Sequence, residues 1–346
     1  MILIYGAYGY TGELIARRAV QQGLRPILAG RRQEPVQALS QELQLEHRTF
    51  DLDQPEVLDQ GLIGVDVVLH CAGPFLYTSE PMASACLRTG THYLDITGEI
   101  DIFESLAARD SEAKEAKVVL LPGVGFDVVP TDCLALHLKQ RLPTAVSLEL
   151  AFCSSGGVSR GTAKTSVERL GTGGAVRRRG RIVNVPAAWK TASIPFSIGD
   201  RQAVTIPWGD VSTAYHTTGI GNITVYAVMP PQMVKSMIWS RRLPWLFRSK
   251  WLREQLKKKI DQRPPGPDRQ DRESGHMWLW GGASDGEHSV EATMTTPEGY
   301  RLTSRTAVEA AKKVANGEVK PGFRTPASVF GADFILGFEG VERSDR

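Results

Sequence analysis

The chain has 346 residues, 42% of them hydrophobic and 23% charged, with a formal net charge of +3. That is apolar material for two domains and too small a cationic surplus to point to a nucleic-acid partner. No apolar run reaches the roughly 18–20 residues that cross a bilayer, and no charged leader with an apolar core precedes Ile2, so the chain reads as cytoplasmic.

Ile2–Tyr5 predicts a strand, and Gly12–Gln22 the helix that follows it. Between them lies GAYGYTG, residues 6–12. A glycine-rich turn from a strand into a helix is the context that dinucleotide binding requires. Gly6 allows the tight turn, Gly9 lets backbone amides approach a pyrophosphate, and Gly12 lets the helix lie close to its strand. Tyr8, Tyr10 and Thr11 complete the loop, whose unpaired N–H groups at the helix start face the anion. The spacing is GxxGxxG, one residue longer than the GxGxxG of many dehydrogenases. A purely structural turn is the alternative reading.

The second strand, Ile27–Ala29, runs into Gly30, Arg31 and Arg32. An NAD site places Asp or Glu near this point, whereas a guanidinium fork suits a 2′-phosphate. The cofactor is therefore expected to be NADP(H), with Arg31 as the leading contact and Arg32 beside it. The alternative is a solvated basic pair opening a loop. After a helix at Pro35–Leu43, the strand His47–Phe50 ends at Asp51, which either reaches the adenine side or caps the next turn.

Strands at Val65–His70, Tyr93–Ile96 and Val118–Leu121 alternate with helices at Ser79–Thr89 and Asp101–Ala116. Short, nearly continuous apolar strands separated by helices predict a doubly wound, Rossmann-type parallel sheet in an α/β protein. The last three strand ends read CAGPF (Cys71 to Phe75), YLDITGE (Tyr93 to Glu99) and PGVGFDVVPTD (Pro122 to Asp132). They gather polar and glycine residues where such a sheet binds its ligand. Cys71, Ala72, Gly73 and Pro74 are read as cofactor-binding, and Tyr93, Asp95, Glu99 and Asp127 as candidate proton donors. Loop hydrogen bonding is open for Asp95 and Asp127, capping of the next helix for Glu99, and simple packing for Tyr93. Cys71 as a nucleophile lacks a basic partner apart from His70, whose side chain points to the opposite strand face.

Beyond Asp132 the parallel pattern stops. Pro130–Arg141 predicts a helix and Ser147–Phe152 a strand, and SSGGVSRGTAKTS reads as a turn leading into a helix. That turn either binds an anion through backbone amides or is a plain loop. NITVYAVM, HMWLWG and HSVEATMT have the character of antiparallel strands with one covered face, so a mixed, largely antiparallel sheet is expected here. Thr303–Asn316 predicts a helix ending at Gly317.

Between Met233 and Arg263 ten basic residues stand against two acidic ones, a surplus of eight. Trp239, Trp245, Trp251 and Phe247 are interleaved with cations such as Arg242 and Arg248, and Pro244 interrupts the run. Such a segment either meets an anionic membrane or lipid-like substrate, or is a helical cap with solvated cations. RPPGPDRQDRES after it reads as a mobile loop.

GAYGYTG, AGRR, CAGPF, THYLDITGE, PGVGFDVVPTD, TTGIGN and GFRTPASVFGADFIL span almost the whole chain. In this order they resemble the saccharopine dehydrogenase-like oxidoreductases, in particular their trans-acting enoyl reductase branch. Tyr8 stands where relatives more often have Thr. The resemblance implies an NADP-binding Rossmann domain at residues 1–130 and a second α+β domain over 131–300 that covers the cofactor. A helix and tail at 301–346 would return to the first domain. It also implies reduction of a C=C or C=N bond of a small-molecule substrate, or the reverse oxidation, and leaves open whether that substrate is lipid-like. A homodimer is a mild expectation from the commonness of two-fold assemblies.

Other chemistries find less support. None of the eight tyrosines is followed by Lys at the fourth position, which disfavours a short-chain dehydrogenase. The seven histidines show no HExxH or other close pairing, so no metal is expected. Cys71, Cys86, Cys133 and Cys153 stand far apart and read as reduced thiols. The rival from another class is a non-catalytic NADPH-binding sensor or scaffold, held at a membrane by the tryptophan-rich segment.

Overall fold

A computed structural model describes residues 1–168, 171–241 and 249–346. They form two compact units, Met1–Val129 with Tyr300–Val329 and Pro130–Gly299 with Phe330–Arg346.

The first unit alternates strands and helices. It runs β1 (Ile2–Tyr5), α1 (Tyr10–Gln21), β2 (Ile27–Gly30), α2 (Gln33–Leu43), β3 (His47–Thr49) and α3 (Pro55–Gly61). It continues through β4 (Val67–His70), α4 (Phe75–Thr89), β5 (His92–Asp95), α5 (Ile100–Ala108), α6 (Asp110–Glu115) and β6 (Val119–Leu121). The strands are aliphatic runs buried along almost their whole length, as parallel strands covered on both faces must be. Every pairing in this sheet is parallel, in the order β15-β6-β5-β4-β1-β2-β3, where β15 is the late strand Gly322–Phe323. The order reverses direction between β1 and β4, the switch point at which an open α/β sheet leaves a crevice. Leu3, Ile27, Val68, Met82, Tyr93 and Leu120 belong to one buried apolar cluster of this unit.

Two local expectations change. The helix expected over Asp101–Ala116 is two, because Arg109 leaves helical geometry (φ −95°, ψ 13°) and turns its guanidinium onto Glu112 and Ser84. The helix α3 was not legible, since it begins on a proline and buries only Leu58.

The second unit begins with α7 (Val129–Arg141), β7 (Ser147–Ser154), α8 (Arg160–Glu168), β8 (Gly174–Arg178), β9 (Arg181–Val185), β10 (Thr191–Phe196) and β11 (Gly199–Thr205). Next come α9 (Asp210–Thr218), β12 (Asn222–Ala227), α10 (Pro231–Ser240), α11 (Lys250–Asp261) and α12 (Arg269–Ser274). The hairpin β13 (His276–Ser284) and β14 (Ser289–Pro297) follows. Last in the chain are α13 (Gly299–Ala315), β15, α14 (Pro326–Phe330) and β16 (Glu342–Asp345).

Its sheet runs β10-β11-β12-β7-β13-β14-β16, with β8 on β12 and β9 on β8. The sheet is mixed: β12 lies parallel to β7, whereas the other pairs are antiparallel. NITVYA therefore differs from the antiparallel expectation on its β7 side. One face buries Ala151, Ile194, Phe196, Ala203, Tyr226 and Trp280 together. The stretch expected as a loop at 263–274 contains α12, fixed by a capping box in which Asp268 and Asp271 bond each other's backbone N–H. Arg242, Pro244, Trp245, Phe247 and Arg248 lie outside the described residues.

Candidate functional site

The first unit's glycine turn is built by close approach. Gly6 has φ +80°, and a Cβ there would stand 2.9 Å from the N and Cβ of Ala72, so the β1 and β4 ends touch at the switch point. A Cβ on Gly12 would fall 2.2 Å from the Gly6 carbonyl oxygen, so only glycine lets α1 start this close to the turn. The Gly6 and Ala7 amides donate to the Ala29 carbonyl at 2.8 and 3.1 Å, tying the turn to β2. Gly9 is the N-cap of α1 and donates to the Gly6 carbonyl at 3.0 Å. Because the N-cap is a glycine, the helix start has no N-cap side chain to accept from its first amides. Tyr10 meets the Tyr300 ring edge-on at 5.1 Å.

At the end of β2, Arg31 and Arg32 are exposed and form no ion pair among the described residues. Arg32 lies over the Tyr8 ring, 4.8 Å from its centroid, and that ring fills the space that a Cβ on Gly30 would enter. Tyr8 thereby steadies Arg32 by a cation–π contact. Asp51 is exposed and accepts from the Leu52 amide at 2.7 Å. No carboxylate replaces the two arginines at the β2 tip itself.

The loop after β4 is held from below. Thr78 Oγ1 donates to the Ala72 carbonyl at 2.6 Å and accepts from His70 Nε2 at 3.0 Å. His70 is fully buried among the rings of Tyr5, Phe75 and Tyr93, and its Nδ1 has no partner. Burial pushes its pKa down to about 3, so it is a neutral imidazole. Gly73 is exposed, with a cis peptide bond to Pro74, and Phe75 opens α4. Cys71 donates weakly to the Leu69 carbonyl, and burial with nearby Asp95 pushes its thiol pKa up. A thiol so disposed is a poor nucleophile.

The four proton-donor candidates separate by their partners. Tyr93 is fully buried, donates to Asp95 Oδ2 at 2.6 Å and lies 3.0 Å from Ser79 Oγ. Burial, followed by Asp95, raises its pKa well above the usual phenol value. Asp95 is also fully buried, and its Oδ1 accepts from the amides of Thr97 at 3.0 Å and Gly123 at 2.9 Å. Burial pushes it up to about 6 against these donors. Its backbone carbonyl takes the Val124 amide, so Asp95 staples the loop that follows β6. Glu99 accepts from the Phe75 amide at 3.1 Å. It therefore closes the first turn of α4 with its side chain, rather than that of α5, which it precedes.

Asp127 differs. It is only partly buried, on the loop that Asp95 holds, and its pKa is pushed up to about 7 by burial. A Cβ on Gly98 would lie 2.9 Å from Asp127 Oδ2, so the loops after β5 and β6 converge on this carboxyl. The Phe126 amide beside it donates to Thr303 Oγ1 at 2.9 Å, and Thr306 Oγ1 donates to the Val124 carbonyl at 2.8 Å. These two α13 hydroxyls were missed in the sequence. Their spacing of three, one helical turn, was the available signal. Among the described residues no cluster of three His, Cys, Asp or Glu side chains could hold a metal ion.

Residues 2–121 match the saccharopine dehydrogenase NADP binding domain family. A saccharopine dehydrogenase-like oxidoreductase of Rattus norvegicus is 25% identical over 210 residues, 53% of this chain and 49% of its own. The trans-acting enoyl reductase of Mycobacterium ulcerans is 29% identical over 206 residues, 54% and 48% of the two chains. Over these stretches the chain is similar to the saccharopine dehydrogenase-like oxidoreductases.

Apo saccharopine dehydrogenase (L-Glu forming) from Saccharomyces cerevisiae has the same fold, with a TM-score of 0.70 at 13% identity over 100% of this chain and 99% of that one. The chain spans about half the length of the curated relatives it matches. The family's NADP-binding region carries the glycine turn, both arginines, the Cys71–Pro74 loop and three of the four carboxyl or phenol candidates. Asp127, Thr303 and Thr306 lie beyond it.

Proposed function

We propose that this saccharopine dehydrogenase-like protein is an NADP(H)-dependent oxidoreductase that reduces a C=C (enoyl) or C=N bond. The observation that carries the reading is the cradle at the switch point. A Cβ at Gly6 would meet Ala72 and one at Gly12 the Gly6 carbonyl oxygen, so only glycines bring the start of α1 this close to the switch point, and its N-cap, Gly9, has no side chain to cap it. The residues fit a dinucleotide: amides at the start of α1, Thr11 and Gly12, for the pyrophosphate, and Arg31 with the Tyr8-stacked Arg32 for a ribose 2′-phosphate. The loop at Cys71–Pro74 lies against Gly6 through Ala72 and borders the same crevice.

A bound reduced nicotinamide would supply hydride to the acceptor carbon. The chain's own work is to hold a proton for the other atom of the double bond. Asp127 fits that role best, because burial pushes its carboxyl pKa up to about 7 where the loops after β5 and β6 converge. Tyr93, Asp95 and Glu99 are engaged in holding the surrounding loops. Asp95 and Thr303 act as positioning residues for the Asp127 loop. The enoyl assignment of the substrate draws on relatives named trans-acting enoyl reductases.

The test is NADPH oxidation with α,β-unsaturated acyl thioesters and with cyclic and acyclic imines, run against pH. Turnover should fall as pH rises through about 7 in the parent chain, as the donor loses its proton. Asp127→Asn should lower kcat at least about a hundredfold and leave NADPH binding intact. Tight NADPH binding with no turnover across both classes would replace the enzyme by a nucleotide-binding sensor. No saturable binding of either reduced dinucleotide would end the redox reading.

A further inference from the structure

We infer that α10 and α11 each offer a docking surface to an anionic phospholipid membrane. In α10 no residue is buried, while Met233, Ile238 and Trp239 are 49%, 44% and 53% exposed. Its inner side, Val234, Met237 and Ser240, is only half-buried, so the helix gains little from the fold and has apolar surface left to rest on a partner. Its C-terminal end is fixed: the Arg241 guanidinium donates to the carbonyls of Ala187 and Ala188.

The second helix, α11, is anchored by buried Ile260 and turns the opposite side outward. Trp251 is 69% exposed there. Lys258, seven residues on, shares its helix face, and Lys259 is exposed beside it. The inner cations of this helix are spent, since Lys257 pairs with Glu168 and Glu254, and Arg253 with Glu168. Lys164 of α8 ties Asp261. Lys235, Lys258 and Lys259 are exposed and form no ion pair among the described residues.

Tryptophans with a wet N–H and a greasy ring suit the headgroup level of a bilayer, and unpaired lysines around them suit anionic headgroups. Among the described residues no helix is long and apolar enough to cross a membrane, so the contact is peripheral. A second copy of the chain fits less well. A two-fold contact through the Trp251 side of α11 would bring Lys258 and Lys259 near their own equivalents. A single-stranded nucleic acid would use the tryptophans and lysines but leave Met233 and Ile238 exposed.

The experiment is flotation of the full chain with vesicles of phosphatidylcholine alone and of phosphatidylcholine mixed equally with phosphatidylglycerol. The protein should float only with the acidic vesicles, leave them in high salt, and shift its tryptophan emission to the blue. Trp239→Ser with Trp251→Ser, and separately Lys258→Glu with Lys259→Glu, should each weaken that binding at least about tenfold. The lysine pair is exposed, so its variant should keep the parent's thermal midpoint and separates loss of binding from loss of fold. Equal recovery with both vesicles, recovery with neither, or undiminished binding by the variants would overturn the inference. So would a lipid-free dimer that the tryptophan variant splits, or tighter binding to a single-stranded oligonucleotide than to acidic vesicles.

Discussion

His70 and Asp95 are buried ends of adjacent strands, paired across β4 and β5, and they respond to pH in opposite senses. His70 is neutral in the fold because burial lowers its pKa to about 3 from an ordinary 6.5. Unfolding below 6.5 lets it take up a proton, so its contribution is whole above about 6.5 and is lost as pH falls toward about 3. Asp95, raised from 3.8 to about 6, contributes fully below about 4 and loses that contribution as pH rises through about 6. His70→Gln retains a donor for Thr78 and removes the acid-side loss. Urea unfolding should find the variant less stable than the parent at pH 7.5. By pH 4.5 the gap should have shifted in the variant's favour by about 3 kcal/mol, two pH units of one proton. A gap that stays constant with pH would mean that His70 is protonated in the fold or hydrated.

At the scale of an element, the two ends of α1 place glycine under different constraints. Gly12 at its start has no room for a methyl group beside the Gly6 carbonyl, whereas Gly23, just past its end, has φ +77° and open space around it. Gly12→Ala must push the helix off the turn, at a cost of about 1–3 kcal/mol. Because the displaced atoms are the proposed phosphate amides, NADPH affinity should drop at least about tenfold, the factor for each 1.4 kcal/mol lost. Gly23→Ala should cost about 1–2 kcal/mol through its left-handed backbone alone and leave affinity unchanged. Fluorescence quenching by NADPH and urea midpoints on both variants read the difference. Much of this element was legible because its chemistry is local: apolar strand, glycines at fixed offsets, helix. Elements that were not legible depend on distant partners. The parallel pairing of β12 with β7 leaves no mark in the period of either strand, and two-residue β15 exists because the β6 edge receives it. The same holds in the site. Asp95 and Asp127 look alike in sequence, and the Gly123 amide and the Tyr93 hydroxyl reach Asp95 only through the sheet.

For the whole molecule, the notable consequence is that the cofactor-binding unit is discontinuous in sequence. Its first part ends at Val129, and Tyr300–Val329 completes it. That returning segment is not an ornament on a finished domain. In α13, Leu302, Ala307, Val308, Ala311 and Val314 are buried. Thr303 and Thr306 hold the loop that carries Asp127, and β15 extends the sheet beyond β6 with Phe323 donating to Asp110. Burying one Leu or Val is worth about 1.5–3 kcal/mol, so removing three of them approaches the 5–15 kcal/mol that separates a typical fold from its unfolded state. A chain ended after Glu298 keeps every residue of the glycine turn, both arginines and Asp127. It should nevertheless lose cooperative thermal unfolding and saturable NADPH binding. A chain ended after Val329 retains the return and removes only Phe330–Arg346, which belong to the other unit, so it should bind NADPH within about threefold of the parent, a difference under the 1.4 kcal/mol of a tenfold change. Equal NADPH binding by the shorter chain and the parent would show that the glycine turn and its strands suffice without the late helix.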